Sequence, residues 1–92
     1  MDPLTVYQID AEGLSRLREA IVLQAVKDYK DALDVIQATR SHAIREKAEI
    51  MARDCERFFR SEWFDMLTGG VDGEKAIEAI QKQMRGGQQN AQ

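Results

Sequence analysis

Hydrophobic residues recur along this chain at intervals of three and four, the repeat of an amphipathic α-helix. A first stripe of such positions begins at Leu14 and continues to Ile36. Its members are Leu14, Leu17, Ile21, Val22, Ala25, Val26, Tyr29, Leu33 and Ile36. The stripe is wider than a two-position coiled-coil seam, so we expect this helix to contact more than one neighbour.

A second helical pattern follows and is out of phase with the first. Its hydrophobic positions again step by four and three, through Ile44, Ala48, Met51, Cys55 and Phe58. They lie one residue later than a continuation of the first stripe would, a rotation of about 100° on a helix. We therefore predict a break near Thr39-Arg40-Ser41, with Ser41 as N-cap. So short a connection favours an antiparallel helical hairpin, residues about 13–39 and 42–60.

The C-terminal third contains two further helical patterns. Phe59, Trp63, Met66 and Leu67 continue a helical face that ends at Gly69-Gly70, and Ser61 either caps this segment or lies in a bend. Asp72 is predicted to cap a last helix with the apolar face Ala76, Ile77, Ile80 and Met84. The predicted fold is all-α: a long antiparallel helical hairpin capped by one or two shorter C-terminal helices.

The chain of 92 residues suits one hydrophobic core, and we assign residues 1–85 to a single helical domain. Residues 1–10 are predicted to form an N-terminal arm ending in a cap at Asp10, and residues 86–92 a disordered polar tail. The predicted core comprises Leu17, Ile21, Val22, Ala25, Val26, Tyr29, Leu33, Ile36, Ile44, Ala48, Met51, Cys55, Phe58, Phe59, Trp63, Leu67, Ile77 and Ile80.

Composition narrows the possible partners and locations. Thirteen Lys and Arg against sixteen Asp and Glu give a net charge of -3, so the basic footprint of a nucleic-acid or membrane-surface protein is missing. The most apolar stretch, Ala20 to Leu23, is far shorter than the roughly 20 residues of a membrane span. The N-terminus lacks the basic region and apolar run of a secretory signal. We expect a cytoplasmic protein with no membrane segment.

No combination of residues predicts catalysis. His42 and Cys55 are the only histidine and cysteine, and on one helix they would lie about 20 Å apart. Cys55 lies on the apolar stripe, which indicates a core residue. The acids from Asp65 to Glu74 do not fit a calcium-binding loop, and Gly69-Gly70 lacks the following Lys and hydroxyl of a phosphate loop. We predict no enzyme activity, no cofactor and no metal.

The most individual stretch of the chain is Phe58-Phe59-Arg60-Ser61-Glu62-Trp63-Phe64-Asp65-Met66-Leu67-Thr68, followed by Val71-Asp72-Gly73-Glu74. Together with Ala20 to Tyr29 it resembles small uncharacterised helical proteins of bacterial prophages and integrative mobile elements. The resemblance covers roughly residues 20–83, and the inserted Gly69-Gly70 departs from the pattern. It implies a mobile-element origin and a bacterial cytoplasm, and it assigns no functional residue.

The aromatic cluster and the lack of a catalytic combination favour a non-enzymatic protein-interaction module. Its partner is a host protein or a second copy of the chain, which it would bind as an inhibitor or adaptor, for example, or as a homo-oligomer. The residues predicted at the interface are Phe59, Arg60, Trp63 and Phe64.

The alternative function is that of a small nucleic-acid-binding regulator. Arg53, Arg57 and Arg60 share one helical face beside aromatic residues, and arginines with exposed aromatic rings bind single strands by charge and stacking. The acids Asp54 and Glu56 interleave with them, which favours arginines ion-paired on the surface. Nucleic acid is therefore the less favoured partner.

Overall fold

The computed structural model describes residues 11–90, with side chains described as far as Arg85. The predicted arm, its Asp10 cap and the last two residues lie outside the described residues. Four helices follow one another in this part of the chain, and it contains no strand: α1 (Ala11–Ala38), α2 (His42–Phe59), α3 (Glu62–Thr68) and α4 (Gly73–Asn90). The all-α fold predicted from the hydrophobic pattern is confirmed.

The hairpin of α1 and α2 turns at the predicted break. Ser41 has extended backbone angles, and its hydroxyl accepts a hydrogen bond from the Ile44 backbone N–H at 3.2 Å, as an N-cap does. The Arg45 guanidinium donates to the Thr39 carbonyl at 2.7 Å, which ties the first turn of α2 to the connection. These short-range bonds fix the chain reversal that brings the two helices together.

The two C-terminal helices begin at residues whose side chains satisfy free backbone N–H groups. The Ser61 hydroxyl accepts from the Phe64 N–H at 3.1 Å, and the Asp72 carboxylate accepts from the Glu74 N–H at 3.0 Å. Gly69 ends α3 with a positive φ of 73°, a conformation that glycine adopts without steric cost. With 18 residues, α4 is as long as α2 rather than shorter, and it continues to Asn90, beyond the predicted start of the polar tail.

The core lies where α4 packs against one side of the hairpin. Its largest members are aromatic: Tyr29 from α1, Phe59 from α2 and Phe64 from α3. Phe59 meets Tyr29 at 5.7 Å and Phe64 at 5.3 Å between ring centroids, both edge to face, the favourable arrangement for aromatic pairs. Ile77 and Ile80 close this core from α4.

Small residues form the seam between α1 and α2. Ala32, Ala48 and Ala52 are buried there, so the two backbones approach closely. The prediction that Leu17, Ile44, Met51 and Trp63 belong to the core is wrong, since all four are exposed. On α2 the reason is geometric, because Ile44 and Met51 lie about 40° to 60° around the helix from Ala48 and fall on the rim of the seam.

Candidate functional site

The side of the hairpin that faces away from α4 carries an apolar groove, which we call the open groove. On α1, Tyr29 and Leu33 belong to the core under α4, whereas Ile21 and Val35 lie about 80° or more away around the helix. The groove has one depression near α3 and one near the hairpin turn. Its apolar lining consists of Ala20, Ile21, Ala25, Phe58 and Trp63 near α3, and of Ala32, Val35, Ile44, Ala48 and Met51 near the turn.

Large hydrophobic side chains on the rim of the open groove remain in contact with solvent. Ile44 and Met51 are about half exposed, and Trp63 is 54% exposed. The Trp63 ring stands edge to face on Phe58 at 6.0 Å, and Phe58 in turn contacts Phe59 and Phe64 of the core. The core thus supports the groove from below and fixes the position of its most exposed aromatic ring.

Two charged groups of the open groove have no ion-pair partner among the described residues. Asp28 is half-buried and accepts a hydrogen bond from the Gln24 amide at 2.9 Å, but it forms no ion pair with any residue of the described part. Lys47, on the wall contributed by α2, forms none within the same residues. Asp31 faces Lys47 across the groove but is bound to Lys27 at 2.7 Å. The groove therefore carries an acid on one wall and a base on the other.

The thiol of Cys55 lies beneath this acidic wall. Burial is the main cause that raises its pKa, and the nearby carboxylates of Asp28, Asp54 and Glu56 add to the rise. A thiol with a raised pKa stays protonated at neutral pH and is a poor nucleophile. His42, at the start of the same helix, lies about 20 Å away by the helical rise, so the two groups form no catalytic pair.

The four residues that were predicted at an interaction surface lie in different parts of the structure. Phe59 and Phe64 are only 1% and 3% exposed, so their assignment to a surface is corrected: both are core residues. Trp63 lies on the open groove. Arg60 lies toward α4, where its guanidinium pairs with Glu74 and approaches Glu56 at 3.8 Å. The four side chains therefore do not form one surface.

Arg53, Arg57 and Arg60 do lie together along α2, in a shallow cleft that also includes Glu56 and Ser61. Two of the three are paired with acids: Arg57 approaches Asp54 at 3.5 Å, and Arg60 pairs with Glu56 and Glu74. Arg53 forms no ion pair with a described residue. The face predicted for nucleic acid thus exists as a cluster, but the interleaved carboxylates reduce its positive charge.

The covered side of the hairpin contains a closed polar network. The hydroxyl of Tyr29, which is fully buried, donates to the Glu56 carboxylate at 2.7 Å and accepts from the Gln81 amide at 3.0 Å. Burial first, and then the bond to Glu56, raise the pKa of Tyr29 to about 12. The network joins α1, α2 and α4, and in it the Tyr29 hydroxyl has one partner as a donor and one as an acceptor.

Open-groove residues such as Val35, Ile44 and Met51 were missed as a site because a helical stripe does not distinguish a covered face from an open one.

Among the described residues, no three His, Cys, Asp or Glu side chains are grouped as metal ligands would be. No helix in that part of the chain has the length and apolarity to cross a membrane. No protein-family model, no curated protein and no solved structure matches this chain. The open groove is the feature that best supports a function.

Proposed function

We propose that this chain is a non-enzymatic protein-interaction module that binds its partner in the open groove. The observation that carries the proposal is the set of exposed hydrophobic side chains in the two depressions of the groove, from Trp63 near α3 to Ile44 near the turn. Val35, Ile44, Met51 and Trp63, which line the two depressions, are each 37% to 54% exposed. Exposed apolar patches with polar rims on monomeric proteins mark interaction surfaces.

The shape of the open groove favours a helical ligand. Two antiparallel helices form a furrow between their side-chain ridges, and a third helix packs into such a furrow through its own apolar face. α4 already packs in this way on the covered side of the hairpin, through Ile77 and Ile80. The open groove offers the equivalent position on the other side.

The resemblance to prophage and mobile-element proteins supports a bacterial cytoplasmic setting. In that setting the module acts on a host protein, as an inhibitor or adaptor, or on a second copy of itself. Neither role requires a catalytic residue, and both require an apolar surface that is accessible in the folded monomer.

The proposal is tested by a capture experiment with a matched pair of variants. Met51 and the adjacent Ile50 are exposed to 50% and 49%, but only Met51 lines the open groove. Tagged wild-type protein, Met51→Lys and Ile50→Lys are used as bait for an untagged, co-expressed copy and for a bacterial lysate treated with nuclease. We expect the wild type and Ile50→Lys to retain the same protein and Met51→Lys to lose it.

Two results would contradict this function. Capture of the same protein by Met51→Lys would show that the open groove is not the binding surface. Recovery of nucleic acid alone from an untreated lysate, with loss of binding in Arg53→Glu, would instead support the regulator that uses Arg53, Arg57 and Arg60. That binding would also weaken steeply with salt, whereas binding in an apolar groove would not.

A further inference from the structure

One carboxylate lies within the apolar lining of the open groove. In the depression near α3, the lining residues other than Gln24 and Asp28 are apolar, and Asp28 lies on the same face of α1 as Ile21 and Ala25. Asp28 is half-buried and accepts one hydrogen bond, from the Gln24 amide at 2.9 Å. Because an ionised carboxylate has about four acceptor positions, this bond leaves most of them to water or to a ligand.

The negative charge of Asp28 is not balanced by an ion pair within the described residues. Lys27, its neighbour in sequence, has its ammonium group 2.7 Å from the carboxylate of Asp31. Lys47 lies in the other depression, between one and two helical turns along the groove, and is exposed. An exposed base at that distance is solvated and interacts weakly with the carboxylate. Asp28 is therefore the main electrostatic feature of the depression near α3.

This charge limits the kind of ligand that can cover the depression. A ligand with only apolar side chains would remove water from Asp28 and leave the carboxylate unpaired, which is strongly unfavourable. An acidic ligand would add like-charge repulsion. A basic side chain would instead form an ion pair in partly desolvated surroundings, where charge-assisted hydrogen bonds are strong. The ligand therefore needs a base among its apolar contacts.

The aromatic side of the same depression also suits a cation. Trp63 is 54% exposed, and Phe58 supports it edge to face. The faces of aromatic rings attract Lys and Arg side chains, that of Trp most strongly. An arginine suits both partners, since its planar guanidinium donates two parallel hydrogen bonds to a carboxylate and stacks on aromatic rings. Ile21 and Ala25 offer apolar contact to its methylene stem.

We infer that the open groove binds an amphipathic helix of another protein, and that an arginine or lysine inside the apolar stripe of this helix binds between Asp28 and Trp63. This inference rests on the proposed function of the groove as a binding surface. The rest of the stripe covers the depression near the turn. The base fixes the register of the bound helix, because Asp31, the carboxylate of that second depression, is exposed and already paired with Lys27.

Two model peptides of identical composition test the inference. Both are tryptophan-free helices of 18 residues, the length of α2, held helical by a side-chain staple on the polar face. The first has an arginine inside its leucine stripe, and the second exchanges this arginine with a leucine of the polar face. Apolar contact alone would favour the second peptide, whose stripe is complete. We expect the wild type to bind the first at least about tenfold more tightly.

A pair of isosteric variants identifies the carboxylate that is responsible. Asp28→Asn removes the charge but keeps an acceptor for the Gln24 amide. Asp34→Asn makes the same charge change at an exposed position of α1 that lines neither depression. We expect Asp28→Asn to bind the first peptide at least about tenfold more weakly and to lose the preference for it. Asp34→Asn should stay within about twofold of the wild type.

The anisotropy of fluorescein-labelled peptides gives the dissociation constants. The emission of Trp63, the single tryptophan of the chain, shows whether the bound peptide lies in the groove. Far-UV circular dichroism checks that each variant is folded. A general attraction between an acidic protein and a basic peptide would affect Asp28→Asn and Asp34→Asn alike.

Three results overturn the inference: no binding of the first peptide, equal or tighter binding of the second, or a preference that survives in Asp28→Asn. A shift of Trp63 emission with protein concentration alone, together with a dimer in sedimentation equilibrium, assigns the groove to a second copy and overturns it as well.

The capture experiment separates failure of this inference from failure of the proposed function. If the peptides fail but Met51→Lys still loses a protein that Ile50→Lys retains, the groove binds a partner of other chemistry. The inference is then wrong and the function stands. If the peptides fail and no protein distinguishes these two variants, both are wrong.

Discussion

The two sides of the α1–α2 hairpin show what distinguishes a core from a binding surface in this small protein. On the covered side, bulky residues are buried under α4, and the buried hydroxyl of Tyr29 donates one hydrogen bond and accepts another. On the open side, hydrophobic residues of similar size remain half exposed, and Asp28 and Lys47 have no charged partner among the described residues. One hairpin thus presents two apolar faces, of which the described part of the chain covers one.

The difference lies in the elements that the chain supplies after the hairpin. The tight turn at Gly69 and Gly70 and the Asp72 cap direct α4 toward the side that contains Tyr29 and Phe59. Gly73 permits the close approach, since a Cβ at this position would lie 1.9 Å from the Phe59 carbonyl oxygen. The side that contains Val35 and Met51 receives no such helix from the described part of the chain. An apolar helix face therefore indicates a core only when another element is available to cover it.

The comparison of the two sides predicts its largest difference in stability at two adjacent aromatic residues, Trp63 and Phe64. Phe64→Ala removes a buried ring that contacts Phe58 and Phe59, and we expect a loss of about 3–5 kcal/mol in the free energy of unfolding. Trp63→Ala removes a larger ring that is more than half exposed, and we expect about 1 kcal/mol or less. Urea unfolding followed by circular dichroism measures both. Equal losses would show that Trp63 belongs to the core after all.

The second-largest effect on stability is expected from the packing of α4. In Gly73→Ala the new methyl group would clash with the Phe59 backbone carbonyl, which cannot rotate away as a side chain can. We expect α4 to shift outward and stability to fall by about 1–3 kcal/mol. Lys75→Ala, an exposed neighbour on the same helix, is the control and should remain within about 0.5 kcal/mol of the wild type. An unchanged Gly73→Ala would mean that α4 does not depend on this contact.

Much of the fold was predictable from the sequence, because short-range signals determine it. Periods of three and four residues mark the helices, and Ser41 and Asp72 were identified as caps from residue type and position. The site was less predictable. Phe64 was assigned to a surface, Phe59 to both the core and a surface, and Met51 to the core, because which side α4 covers depends on contacts between distant residues. Ala32 and Ala52, small residues of the seam, carry too weak a hydrophobic signal to mark where two helices meet closely.

The polar network of the covered side gives an effect that depends on pH. Tyr29→Phe removes the hydroxyl that donates to Glu56 and accepts from Gln81, and we expect a cost of about 1–2 kcal/mol at neutral pH. The folded-state pKa of Tyr29 is about 12, above the ordinary value of 10.0. Between pH 10 and 12 the folded protein therefore binds more protons than the unfolded chain, and its stability falls as the pH rises.

That pH-dependent loss is on the order of 2 kcal/mol by pH 12, and Tyr29→Phe should lack it. Urea unfolding of both proteins from pH 9 to pH 12 measures the difference, in which the titration of other groups cancels. A constant difference across this range would mean that Tyr29 ionises with similar ease in the folded and unfolded chain.

The smallest effect on stability is expected in the open groove, and it separates the two sides most directly. Met51→Lys adds a charge to a half-exposed position whose neighbours, Ile44 and Lys47, face solvent with it. The lysine can extend its ammonium into water, so we expect the free energy of unfolding of the monomer to change by no more than about 0.5 kcal/mol. Ile50→Lys, equally exposed but outside the groove, should behave alike in the same urea titration at low protein concentration. If Met51→Lys instead lost as much stability as Phe64→Ala, the open groove would be part of the core. It could then not be a surface that is available to a partner.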